Sequence, residues 1–310
     1  MKAIATTDFG APATLIDVPA PEPAEGEILV RVEASSINGF DLSVAKGVLK
    51  GMMEHRFPVV LGKDFAGTVE AIGPGVDDFN VGDRVFGVIM KPELGHGCFG
   101  ELVATPAAFA AKVPEALDIP TAGVLGLAGT AAYDAVEAVG VQPGDTVLVS
   151  GATGGVGVIA VQLLKARGVH VIATASTDEE VAFVQDHGAD DVVDYRGDLA
   201  AAVHDKHPGG VDAVLHFAGD GAQLSALIAP NGRLASTVGL RADQLDRDDI
   251  TVITIMANPV TATLAQVADA VTTGSIRVPV ARTYRLDEVP QALAEFAAGK
   301  LGKLAVRIEQ

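Results

Sequence analysis

The 310-residue sequence predicts an α/β protein: a doubly wound parallel sheet set between stretches of irregular, mostly β structure. Three observations predict it. From about Leu117 onward, compact apolar runs alternate with helical patterns, as in a parallel sheet covered by helices on both faces. The stretch before it is rich in Gly, Pro and Val, and its short runs alternate apolar and polar residues. At the junction of the first compact strand and the first helix stands "VLVSGATGGVG" (Val147–Gly157), four of whose residues are glycine.

The elements follow in order. "EILVRVEAS" (Glu27–Ser35) and "GTVEAIG" (Gly67–Gly73) read as half-buried strands, separated by turn signals at "PGVDDF" and "VGDRV". "TVLVSG" (Thr146–Gly151) is a strand, and "GVGVIAVQLLKARG" (Gly155–Gly168) a helix closed by glycine. "VHVIATAS" (Val169–Ser176) is a second strand. "TDEEVAFVQDHG" (Thr177–Gly188) opens with Thr-x-x-Glu, a capping box, and ends in glycine. "DDVVDY" (Asp190–Tyr195), "VDAVLHFAG" (Val211–Gly219), "GRLASTVG" (Gly232–Gly239) and "ITVITIM" (Ile250–Met256) supply four more strands. "NPVTATLAQVADAVTTG" (Asn258–Gly274) reads as a helix with Asn as cap and Pro in its first position. "LDEVPQALAEFAAG" (Leu286–Gly299) is another helix, and "KLAVRIE" (Lys303–Glu309) a closing strand that returns to the first region.

Composition bounds the function. Hydrophobic residues make up 49% and charged residues 20%, a soluble globular profile. With aromatics at 5% and no Trp, the cores are built from Val, Ala, Leu and Ile. A net charge of -18 argues against nucleic acid and anionic membranes as partners. The lone Cys98 excludes a disulfide framework and a four-thiolate zinc site. No apolar run approaches the ~18–20 residues of a spanning helix. "MKAIATTDFG" has no signal-peptide pattern, so a cytoplasmic location is expected.

The glycine stretch carries the strongest functional signal. In a dinucleotide-binding unit the strand-to-helix turn reads G-x-G-x-x-G, for a tight turn, close approach of the pyrophosphate and packing of helix on strand. Here the spacing is Ala152-x-Gly154-x-x-Gly157, with Gly155 added. The loop residues Thr153, Gly154, Gly155 and Val156 are the candidates to hold the diphosphate at the positive end of the helix. The position about 20 residues on, where an acid selects NAD, falls on Ser176. A neutral hydroxyl there tilts the choice toward NADPH over NADH, although Asp178, Glu179 and Glu180 follow it. Tyr195 and Arg196 are placed to reach the adenosine side.

These residues resemble the medium-chain dehydrogenase/reductase superfamily, in its zinc-independent quinone oxidoreductase branch. The stretches that carry the resemblance are "GKDFAGTVEAIGPGVDDFNVGDRVFG" (Gly62–Gly87), "GLAGTAAYDAV" (Gly126–Val136), "SGATGGVGVIAVQLLKARG" (Ser150–Gly168) and "GADDVVDY" (Gly188–Tyr195). The resemblance implies a chaperonin-10-like, mostly-β catalytic domain from residues 1–116 and 259–310, around a Rossmann cofactor-binding domain of residues 117–258. It implies a cofactor cleft between them and a homodimer. In zinc-dependent alcohol dehydrogenases of this superfamily, Cys, His and Cys hold the metal; the matching positions here are Asn38, Lys63 and Gly126. An amide, an ammonium and a bare backbone are not zinc donors, and Asp64 alone is not a site. No metal site is therefore expected, and the four-cysteine structural lobe is missing.

Without zinc to polarise an alcohol or ketone, the expected acceptors are already electrophilic: quinones, or alkenes conjugated to a carbonyl. By resemblance Asn38 is a polar contact near the nicotinamide ribose; its other reading is a turn residue before "GFD". Lys63 faces either the charge developing on a carbonyl oxygen or a structural partner, Asp41 or Asp64. Thr130 resembles a cofactor-contacting threonine, or caps a helix. Gly239, Leu240 and Ala257 match positions near the nicotinamide. Tyr133 reads as a core residue with a satisfied hydroxyl, and Cys98 as incidental. The seven histidines show no ligand spacing; His55 and His96 fall in loops of the first region and read as surface residues, with lining of the pocket as the alternative. No general acid is assigned. Two other functions stay open: an NADPH-binding sensor or structural protein without turnover, and an NAD-linked alcohol dehydrogenase, which predicts bound metal.

Overall fold

In a computed structural model that describes residues 1–309, internal contacts divide the chain into two units. The first comprises Met1–Ala128, Pro259–Thr272 and the chain from Val278 onward; the second comprises Gly129–Asn258 and Thr273–Arg277.

The first unit is built on a sheet whose path runs Ala110–Lys112, Arg84–Val88, Asp64–Ile72, Glu27–Ser36, Lys303–Arg307 and Val280–Arg285. Its organiser is Glu27–Ser36, whose residues alternate between buried and half-buried along most of its length. That strand changes partner along its length. Glu27–Arg31 pair with Leu102–Pro106, whereas Ala34–Ser36 pair with the closing strand. The closing strand does return to the first region, antiparallel to it. Ile28, Val30, Val32, Phe65, Phe99, Leu304 and Val306 form the core beneath. A smaller sheet orders Thr14–Asp17, Lys2–Thr6 and Val59–Val60.

The second unit alternates strand and helix: β1 (Thr146–Ser150), α1 (Gly155–Ala166), β2 (His170–Thr174), α2 (Asp178–Asp186), β3 (Asp191–Val193), α3 (Leu199–Lys206), β4 (Val211–His216), α4 (Gly221–Ser225), β5 (Ile228–Ser236) and β6 (Thr251–Thr254). The sheet order is β3-β2-β1-β4-β5-β6, every pair parallel. Strand order therefore reverses at β1, and ligands of such sheets bind beyond the carboxyl ends of the strands at that point. Thr177 caps α2 through a capping box, as its sequence predicts.

Two boundaries differ from expectation. β5 starts at Ile228, before "APNG", because Asn231 adopts φ 65° and a register shift between Val211 and Ala213 absorbs the kink. The helix expected to begin at Pro259 begins at Thr261. Asn258 does not cap it; its backbone N–H donates to Asp134 Oδ2 at 2.8 Å.

Candidate functional site

In the second unit, β1 ends in a turn whose left-handed residue is Gly151, at φ 77°. The glycine role that the fingerprint assigns to its first position is thus met one residue early, and the buried Ala152 follows it. A Cβ on Gly157 would stand 2.2 Å from the Gly151 carbonyl oxygen, so α1 can approach β1 only because that side chain is missing. Gly154 is the N-cap in extended conformation. A Cβ there would meet only the Gly151 oxygen, at 3.4 Å, and otherwise face open space. Thr153, Gly154, Gly155 and Val156 are all half-buried. The first-turn amides of Gly155 and Val156 have no preceding helical carbonyl to bond. An open glycine cradle under free amides at a helix N-terminus fits a diphosphate.

Ser176 and Tyr195 are gathered by one carboxylate, that of Glu180. The Ser176 N–H donates to Glu180 Oε2 at 2.7 Å, and the Tyr195 hydroxyl lies 3.4 Å from Oε1. The Ser176 hydroxyl also faces Asp194, whose carboxyl is held below the usual range by hydrogen bonds from the Arg196 N–H and from Ser176. Arg196 lies over the Tyr195 ring, 5.6 Å from its centroid. The edge where a 2′-phosphate would sit thus carries two carboxylates and one guanidinium.

At the carboxyl end of β5, the Ser236 hydroxyl oxygen accepts from the backbone N–H groups of Val238 and Leu240, each at 3.3 Å, and lies 3.2 Å from His216 Nδ1. His216 Nε2 is 3.1 Å from the Gly219 carbonyl, and burial pushes its pKa down. This network shapes the loop holding Gly239, at φ 83°, and Leu240. His216 and Ser236 were not singled out by sequence; only their position at strand ends marks them. Ala257 is half-buried beside the exposed Met256. Thr130 is fully buried inside the helix Gly126–Val139, so the helix-cap reading fails.

The first unit holds a buried polar cluster. Asp64 is its centre. Oδ2 accepts from Asn38 Nδ2 at 2.8 Å and from the Ser36 hydroxyl, and Oδ1 accepts from the Leu127 N–H at 2.7 Å. The Lys303 ammonium, 2% exposed, donates to Asn38 Oδ1 at 2.7 Å and lies 3.6 Å from Asp64 Oδ2. Asn38 also donates to the Ser36 carbonyl at 3.3 Å. Both its N–H groups and one lone pair are therefore engaged inside the protein. It is the N-cap of the helix Gly39–Ala45, not a free turn residue. Asp41 accepts from the Asn38 backbone N–H at 2.8 Å, while its Oδ1 is buried without a partner. Burial pushes the Asp41 carboxyl up to about 7.

Lys63 forms neither expected ion pair. Its Nζ donates to the Ile89 carbonyl and lies 4.9 Å over the Phe40 ring. Burial lowers its pKa, against the opposing pull of Cys98, Asp41 and Asp64. A Cβ on Gly126 would meet Asp64 Oδ1 at 2.8 Å, leaving no room for a metal-binding side chain. Amide, ammonium and glycine around one carboxylate that is already hydrogen-bonded do not fit zinc. Lys303 and Ser36 escaped the sequence reading because only the fold brings them to Asp64.

The remaining candidates separate. His96 lines a cavity of about 350 Å³ with Arg56, Pro58 and Val103, and also a void of about 10 Å³ with Phe40, Asp41 and Lys63. The larger cavity touches neither Asn38 nor Lys63, so its size alone does not make it the reaction site. His55 packs with Phe9 and Phe57 instead. Cys98 is buried, and burial raises its thiol pKa well above the ordinary value, which makes it inert. Tyr133 is half-buried. Among the described residues no helix is long and apolar enough to cross a membrane.

Comparison with known proteins is consistent with both halves of this picture. Residues 24–115 match the family model of the alcohol dehydrogenase GroES-like domain, and residues 155–277 that of zinc-binding dehydrogenases. The sequence is similar to a chloroplast envelope quinone oxidoreductase homolog of Arabidopsis thaliana, 34% identical over 229 residues, covering 70% of this chain and 68% of that protein. The fold is similar to the quinone oxidoreductase of Coxiella burnetii, with TM-score 0.91, 28% identity and 100% and 99% of the two chains covered. It is similar too to mycobacterial Rv1454c, solved with NADPH, at TM-score 0.87 and 31% identity over 99% and 100% of the chains. Against a mycocerosic acid synthase-like polyketide synthase of Mycobacterium tuberculosis, identity is 39% over 216 residues and 68% of this chain, but the chain spans 10% of that protein's length.

Proposed function

Since this chain belongs to the medium-chain dehydrogenase/reductase superfamily, in its quinone oxidoreductase branch, we propose that it is an NADPH-dependent, zinc-independent oxidoreductase that reduces a quinone or an alkene conjugated to a carbonyl. The observation that carries the proposal is the surroundings of Asp64: the three positions that by resemblance match the metal ligands hold the amide of Asn38, the ammonium of Lys63 and the bare backbone of Gly126, and Asp64 itself is already engaged by Asn38, Ser36 and Leu127. An acceptor reduced without a Lewis acid must itself be electrophilic.

The chain's own residues have these roles. Thr153, Gly154, Gly155 and Val156 hold the diphosphate, and Gly239, Leu240 and Ala257 border the nicotinamide, whereas the fully buried Thr130 offers it no surface. Bound NADPH supplies the hydride. Asn38 keeps one Oδ1 lone pair for a ribose hydroxyl, its amide plane fixed by Lys303 and Asp64. Lys63 is held uncommitted to any carboxylate, so its ammonium can turn to an acceptor oxygen as negative charge develops there. Ser176, Tyr195 and Arg196 receive the adenosine ribose. The neutral Ser176, the guanidinium of Arg196 and the NADPH carried by Rv1454c favour NADPH; Glu180 and Asp194 press toward NADH. A homodimer acting in the cytoplasm on a small molecule is part of the proposal.

One observation favours a second reading. Asn38 and Lys63 both spend hydrogen bonds internally, as they would in an NADPH-binding sensor or structural protein without turnover. A steady-state screen of NADPH and NADH against quinones, enones and enals, with chelator present, separates the two. Acceptor-dependent NADPH oxidation is expected. Tight NADPH binding with no oxidation across the panel selects the second reading, and activity that needs added zinc removes the first.

A further inference from the structure

The amino end of the parallel sheet carries a cluster that the dinucleotide chemistry does not use. His170 opens β2, Asp191 opens β3, and His207 is the C-cap of α3. His170 Nε2 lies 2.8 Å from Asp191 Oδ2. The His207 ring stands beside that of His170, with centroids 5.5 Å apart and planes at 51°. One ligand atom from each of the three falls within 4.8 Å of the others. The sequence hid this grouping: His170 and Asp191 are 21 residues apart and His207 lies beyond a further helix, so no short ligand spacing exists.

From this geometry we propose a divalent transition-metal site, formed by His170, Asp191 and His207, for Zn²⁺ or an ion of like preference such as Co²⁺. Two imidazoles and one carboxylate are the donor set of such ions, with a fourth position left to water. His207 Nε2 is buried and has no hydrogen-bond partner. A buried ring nitrogen without a partner is uncommon in folded proteins, and a metal ion would satisfy it. Tetrahedral coordination at about 2.0–2.1 Å places donor atoms a little over 3 Å apart. His170 and Asp191 already approach that spacing at 2.8 Å, and the proposal requires His207 to draw in from a separation of at most 4.8 Å.

The surroundings agree. Asp190 Oδ2, which accepts from the Val171 N–H at 2.9 Å, lies 3.9 Å from His170 Nδ1, so a second carboxylate stands on the far side of that ring. Lys206 donates to Asp191 Oδ1, which leaves Oδ2 as the donor and favours monodentate binding. Lys165 pairs with Asp190, so the local charge is balanced before the ion arrives. Nucleotides bind at the carboxyl ends of parallel strands, and β2 and β3 present their amino ends here. The site is therefore at the opposite end of the sheet from the glycine loop. Its ion would tie α3 to β2 and β3.

The test uses the full chain, stripped with chelator and titrated with ZnCl₂ and CoCl₂. The expected result is one saturable site, with tetrahedral Co²⁺ absorption in the visible and a thermal midpoint raised by Zn²⁺. His207→Ala should weaken binding at least ~10-fold, since one of three protein donors is lost. His204→Ala, an exposed histidine of the same helix, should leave it unchanged. His207→Gln, which keeps a neutral polar side chain, serves where the alanine variant unfolds. The proposal is overturned by no saturable binding, by binding that survives both His207 variants, or by equal loss in His204→Ala.

Discussion

The Lys303 ammonium lies 2.7 Å from Asn38 Oδ1 and 3.6 Å from Asp64 Oδ2, with Asp64 fully buried. A lysine 265 residues from Asn38 in sequence thus supplies the positive charge at the heart of the first unit. Burial depresses its pKa, and Asp64 and Asp41 work against that. Removing the cation would strand a carboxylate in the core. Lys303→Met is therefore expected to cost about 3–5 kcal/mol in denaturant unfolding. Lys303→Met with Asp64→Asn should cost less than the two single changes summed, because the stranded charge is gone. Strict additivity would show that the two groups do not interact.

Asp41 gives a pH signature. Its carboxyl is raised by burial from an ordinary value of 3.8 to about 7, with Asp64 adding to the rise and Lys303 and Lys63 opposing it. The folded state then holds the proton more tightly than the unfolded chain. Its contribution is fully present below the unfolded value and is lost as pH rises from about 4 to about 7. Thermal midpoints across that window should fall less in Asp41→Asn than in the wild type, and the variant should be the more stable at pH ~8. An unchanged profile would contradict the assignment.

The two fingerprint glycines should behave differently. Gly157→Ala places a methyl 2.2 Å from the Gly151 oxygen. It should cost about 1–3 kcal/mol by forcing α1 off β1, and nucleotide affinity should fall with it. Gly154→Ala meets no closer atom than 3.4 Å and should leave the thermal midpoint near wild type while weakening nucleotide binding. Calorimetric titration with NADPH reads both. Equal binding by Gly154→Ala would place the diphosphate elsewhere.

Much of this was legible in sequence. β1, the glycine turn and α1 could be read because each rests on local rules: a buried strand, a bare turn, a glycine-closed helix. The Thr177 capping box held for the same reason. What stayed hidden was long-range. The meeting of Ser36, Asn38, Asp64 and Lys303 depends on Glu27–Ser36 pairing with the closing strand, and no local pattern encodes that pairing. Asn258–Pro259 imitated a helix start, but the Asn258 N–H is taken by Asp134. Of the two readings of Lys63, a carboxylate partner is not what the fold supplies: the Ile89 carbonyl takes its ammonium, a contact that no local pattern encodes.

Cofactor choice should turn on Arg196. It is exposed, and the two carboxylates beside it would repel a 2′-phosphate on their own. Arg196→Ala should raise the KM for NADPH by roughly threefold to tenfold and leave that for NADH nearly unchanged, as loss of one partly screened charge-assisted contact predicts. A parallel change for both nucleotides would remove Arg196 from the 2′ position.

Lys63→Met tests the acceptor side. The methionine keeps much of the lysine's apolar bulk over Phe40 and deletes the charge. The expected outcome is a lower kcat, by about 10-fold or more, with NADPH affinity retained, as for a group that acts on developing charge. An unchanged kcat would assign Lys63 to structure.

The central claim is hydride transfer from a nucleotide to an electrophile without a metal. Its most direct measurement is a single-turnover experiment: chelator-treated protein, loaded with NADPH, is mixed with a quinone or an enone, and loss of the reduced nucleotide is followed with C4-protium and C4-deuterium cofactor. The account predicts a decay whose rate saturates with acceptor and slows with deuterium. Bound NADPH that persists with every acceptor, or a decay that returns only with zinc, would contradict it.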